Sequence, residues 1–70
     1  MRNINEIFEN AARRFNSSPV IIYMVNQGGE IQIRLASRGL AARGLYQSIL
    51  FAGSASEAIN FLQNINPQSI

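Results

Sequence analysis

Residues 20–35 read Val-Ile-Ile-Tyr-Met-Val-Asn-Gln-Gly-Gly-Glu-Ile-Gln-Ile-Arg-Leu. The first six are β-branched, aromatic or otherwise apolar, and the last six alternate polar and apolar without a break. Between them, Asn26-Gln27-Gly28-Gly29 can supply the positive φ that a tight turn needs. The stretch predicts a β-hairpin. An even-numbered loop places Ile22 and Met24 on one face with Ile31, Ile33 and Leu35, and leaves Ile21, Tyr23 and Val25 beside Glu30, Gln32 and Arg34 on the other. The first strand is then apolar on both sides. One layer of helix would wet one of those faces, so a further helix or a second subunit is expected to cover it.

Upstream, Ile4, Ile7, Phe8, Ala11, Ala12 and Phe15 recur at the spacing of one helical face. Asn3 can cap this helix with Glu6 reaching back, and Glu9 stands one turn before Arg13. Glu6, Glu9, Arg13 and Arg14 have an ordinary reading as a solvated helix face with one weak pair. Asn16-Ser17-Ser18-Pro19 ends the helix, because proline disfavours the α conformation in the residue before it.

Downstream, Ser37 can cap a second helix running to about Ala52, with Gly53 as its stop. Gly39 and Gly44 each cost such a helix roughly 1 kcal/mol relative to Ala. The near-repeat of residues 36–40 in residues 41–45 is a coincidence of small residues, since a five-residue step turns a helix by about 140°. Ser54 with Glu57 forms a capping box for a third helix, on which Ala55, Ala58, Ile59, Leu62 and Ile65 share a face before Pro67. The expectation is one α+β domain over residues 1–70, in the order α-β-β-α-α. A β-hairpin packs with three helices, and oligomerisation completes the fold.

Composition narrows what such a domain can do. A 70-residue chain hides only about 60% of its unfolded surface, so it needs a staple. With no Cys, His or Asp, neither a disulfide nor a zinc or iron site has its usual ligands, and four scattered Glu make a poor calcium cage. Association remains, and an apolar fraction of 47% is generous for so small an interior. A homo-oligomer is expected. The longest apolar run falls far short of a membrane span, and no leader pattern opens the chain, so a soluble, cytoplasmic protein is expected.

All six basic residues are Arg, although the chain is rich in Ile and Asn, whose codons share the A/T bias of Lys. That choice points to sites needing a planar, always-charged fork. Arg34, Arg38 and Arg43 are the candidates, with Ser37 and Gly39 assisting and Tyr23 and Tyr46 as stacking neighbours. Arg34 lies near the end of the second strand, and a helix opening at Arg38 would offer free amides to an anion. The plainer reading gives these arginines to ion pairs, a subunit boundary or solvent.

No nucleophile and base can be placed together, so an enzyme is not expected and no cofactor is implied. The glycines fit neither a Walker nor a dinucleotide pattern. Three functions fit. The first is an oligomeric binder of an anionic small ligand, such as a nucleotide or phosphorylated metabolite. The second is a protein-interaction module or inhibitor docking an apolar face on a larger partner. Nucleic-acid binding comes third, because a net charge of +2 with interleaved Glu lacks a basic stripe. Convergence of the arginines in a pocket favours the first; their dispersal over a flat face edged by exposed Ile or Phe favours the second.

Overall fold

The computed structural model describes residues 3–41 and 48–69. Helix α1 (Ile4–Arg13) opens on Asn3, whose Oδ1 accepts from the Glu6 N–H at 2.9 Å. Strands β1 (Val20–Gln27) and β2 (Glu30–Ser37) pair antiparallel across all eight positions. Gly28 and Gly29 have φ of 57° and 88°, the doubly left-handed pair that a two-residue hairpin turn demands. The loop is even, and the register sets Tyr23 opposite Arg34 and Val25 opposite Gln32. Both faces of the hairpin are therefore populated as the alternation requires.

After β2 the expected order fails. Residues 38–41 make one helical turn, α2 (Arg38–Ala41), and β3 (Ser48–Gly53) then pairs antiparallel with β2. Residues 42–47 lie outside the described part. Among the described residues, the α-β-β-α-α order with a hairpin and three helices is thus corrected to a three-stranded sheet, β1-β2-β3, with two ten-residue helices, the short turn α2 and a 3-10 turn at Pro67–Ser69. Ser37 closes β2 rather than capping a long helix, and Gly53 ends a strand.

The reason lies in β3 itself. Ile33 pairs with Phe51 but Arg34 pairs with Ile49, so Leu50 is an extra residue, a bulge. Leu50 and Phe51 consequently both pack on the core although adjacent in sequence. That breaks the period of two and, with Tyr46 and Ile49, imitates a helical spacing. A Cβ at Gly53 would meet Phe51 Cζ at 2.9 Å, so any larger residue there would have to shift the Phe51 ring, which is stacked on Phe61 with centroids 5.1 Å apart.

Helix α3 (Ala55–Asn64) follows with the complete capping box that Ser54 and Glu57 promised. One core cluster joins Ile7, Ala11 and Phe15 of α1 and its following turn to Ala58, Leu62 and Ile65 at α3, over Ile22, Ile31, Ile33 and Leu35 of the sheet. Both long helices therefore cover the same face, called inner below. On the outer face, Ile21, Tyr23, Val25 and Ile49 stand apart from that cluster. β1 and β3 are the sheet edges: β1 runs without interruption, whereas β3 carries the bulge.

Candidate functional site

Three arginines of the described residues perform two different jobs. Arg38 lies where β2 gives way to α2, and its Nη2 donates to the carbonyls of Phe15 (2.8 Å), Asn16 (3.3 Å) and Ser18 (2.9 Å). Its backbone N–H, expected among the free amides of a helix start, donates to Pro19 O at 3.2 Å. A four-residue turn has little dipole to offer besides. Arg14 does the matching work at the other helix: its Nη1 donates to the carbonyls of Leu62 (3.3 Å), Gln63 (3.4 Å) and Ile65 (2.9 Å) at the end of α3. Cations at helix C-termini satisfy carbonyls left without intrahelical partners. These two guanidiniums fasten the chain's turns.

Arg34 is placed differently. It sits half-buried in the middle of β2 on the outer face, and its Nε donates to Gln32 Oε1 at 3.0 Å. Gln32 Nε2 donates in turn to Glu30 Oε1 at 2.9 Å. Glu30, Gln32 and Arg34 form a ladder along one strand, opposite charges at its ends and an amide between. Arg34 bonds along its own strand to Gln32, whereas Arg38 bonds across to the turn after α1. Tyr23 faces Arg34 across the strands, half-buried. Ser37 is the half-buried last residue of β2, and Gly39 in α2 has open space where a Cβ would stand. Arg43 and Tyr46 lie outside the described residues.

An open recess of about 800 Å³ lies elsewhere, between the turn after α1 and the end of α3. Its lining includes Arg14, Ser18 and Gln63, with none of Arg34, Ser37, Arg38 or Gly39 among the residues around it. Arg14 is already committed to three carbonyls there.

The outer face of the sheet is the remaining surface with distinctive chemistry. Across it run three rows: Tyr23, Arg34 and Ile49; Val25, Gln32 and Ala52; Gln27 and Glu30. Ile49 is 46% exposed, and is the one large apolar side chain among the described residues to be so exposed. One end is closed, since Ala36 is fully buried beside Ile21, where α2 contacts β1 and β2. Sequence parity placed Tyr23, Val25 and Arg34 on this face. Ile49 and Ala52 are not legible from parity, because the bulge hides their alternation and the spacing reads as helix.

Glu57 has a carboxyl whose titration is displaced. The Ser54 hydroxyl (2.9 Å) and then the Ser54 N–H (3.2 Å) bond its Oε1 and hold its carboxyl below the usual range. This is capping chemistry. Among the described residues, no three His, Cys, Asp or Glu side chains converge to hold a metal ion, and no helix is long and apolar enough to cross a membrane. No protein-family model, curated protein or solved structure matches the chain.

Proposed function

We propose that this chain is a non-catalytic protein-interaction module whose working surface is the outer face of its sheet. One observation carries the reading: both long helices pack on the inner face, while Ile21, Tyr23, Val25 and Ile49 lie on the other side, apart from the core. A small domain gains nothing for its own stability from an exposed Ile on an edge strand, whereas apolar side chains flanking a polar ladder on the central strand have the composition of a docking surface. Capture of an anionic small ligand has weaker support. Arg38 is engaged with carbonyls, and Arg34 lies on a flat face rather than in a recess.

Photo-crosslinking tests the reading. A benzoylphenylalanine in place of Ile49 is expected to form protein adducts, and the same group in place of exposed Glu9 on α1 is expected to form none. Adducts from both positions, or from neither, would count against the outer face.

A further inference from the structure

The charges on the outer face say which protein fits it. Strand β2 presents Glu30, Gln32 and Arg34 there, equal numbers of opposite charges placed symmetrically about a neutral amide. A partner of strong net charge, acidic or basic, would meet one end well and the other badly. A second copy of the same surface, turned end for end, meets both ends well. We propose that the occupant of the outer face is a second copy of this chain, docked face to face about a two-fold axis that runs perpendicular to the strands and passes over Gln32. The proposal rests on the outer-face reading above and adds the identity of the partner and its orientation.

Geometry selects the axis. Two sheets packed face to face keep their strands within about 30° of one another and about 10 Å apart. An axis parallel to the strands would set Arg34 opposite Arg34 and Glu30 opposite Glu30, two like-charge contacts. The perpendicular axis reverses strand direction, so Glu30 of each copy lies opposite Arg34 of the other, and the Gln32, Val25 and Ala52 row meets its own counterpart at the centre. Val25 and Ala52 then meet their own counterparts on either side of the Gln32 pair, and the two ion pairs lie one row away along β2. The closed end also fits. Residue 36 lies as far from Gln32 in one direction as the Gly28 turn lies in the other, so the filled end of one copy reaches over the hairpin tip of its partner, where no side chain stands at Gly28 or Gly29. The ladder through Gln32 holds both charged side chains along the strand before association, which lowers the ordering cost.

Charge reversal reads this arrangement directly. Native mass spectrometry and sedimentation of the wild type are expected to give dimers or multiples of them. The variants E30R and R34E, each alone, are expected to associate at least about tenfold more weakly, because each sets like charges opposite one another. Mixed in equal amounts, the two are expected to form a heterodimer of intermediate mass, since every cross-copy contact is then attractive. The double variant E30R/R34E is expected to associate with itself again, which also covers the case of one single variant failing to fold. A monomeric wild type, single variants as dimeric as the wild type, or a mixture without heterodimers would overturn the proposal. If Ile49 adducts to another protein persist in that event, the outer face stands with a different partner; if they are missing too, both readings fall.

Discussion

Ile33 and Arg34 are neighbours on β2, yet Ile33 is fully buried beneath α1 and α3 and Arg34 lies on the side opposite those helices. The centre of the inner face is made of aliphatic and aromatic side chains packed into one cluster. The outer face mixes an apolar strip with a charged ladder and leaves Ile49 half in water. A sheet with one layer of helix is stable from one side alone. The side left over is where sequence can vary for purposes other than folding.

The sharpest way to break that contrast is by truncation. Ile33→Ala or Leu62→Ala, both at fully buried positions, is expected to cost about 2–5 kcal/mol, enough to unfold much of a domain this small. Val25→Ala on the outer face is expected to cost under about 1.5 kcal/mol. Urea titration of the three variants measures the difference, at a protein concentration low enough to keep association out of the midpoint. Equal losses would mean that the outer face is as much a part of the core as the inner.

A second contrast separates the arginines. Arg38→Ala and Arg14→Ala are each expected to lower stability by about 1–2 kcal/mol, since each leaves three turn or helix-end carbonyls without a cationic donor. Arg34→Ala is expected to cost less than about 1 kcal/mol in the monomer and to act on association instead. Thermal unfolding paired with sedimentation distinguishes the two classes. An Arg38→Ala chain with an unchanged midpoint would return Arg38 to the list of binding residues.

The smallest effect expected lies at the start of α3. Because the folded-state pKa of Glu57 is lowered, its bonds to Ser54 contribute stability above the unfolded pKa, and that contribution is lost as pH falls through the folded value. Glu57→Gln is expected to flatten the acid side of the stability curve and to leave its neutral-to-alkaline side parallel to that of the wild type. An unchanged acid limb would show that the capping box carries no charge dependence.

How far the sequence discloses this molecule depends on the range of the interactions involved. Helices α1 and α3 and the β1-β2 hairpin are legible because their signals are local: an apolar stripe, a capping box, two glycines at a turn. β3 is not, because its bulge puts Leu50 and Phe51 on one side and so erases the alternation that marks a strand. Parity alone found the outer positions of Tyr23, Val25 and Arg34. The engagement of Arg38 with carbonyls 20–23 residues away, and of Arg14 with carbonyls 48–51 residues away, belongs to tertiary structure. No local spacing announces it, which is why Arg38 reads from sequence as a ligand-binding residue and Arg14 as a solvated one.

The unequal edges of the sheet also bear on how this chain aggregates when stressed. Fibril growth by strand addition needs two smooth edges, one to be added to and one to offer for the next round. β1 is smooth over eight residues and contains neither Pro nor Lys, whereas the bulge in β3 twists the opposite edge out of line. Strand pairing through β1 can lengthen the sheet by one further copy, after which both edges on offer carry the bulge. The sheet is thus capped against open-ended extension by one extra leucine.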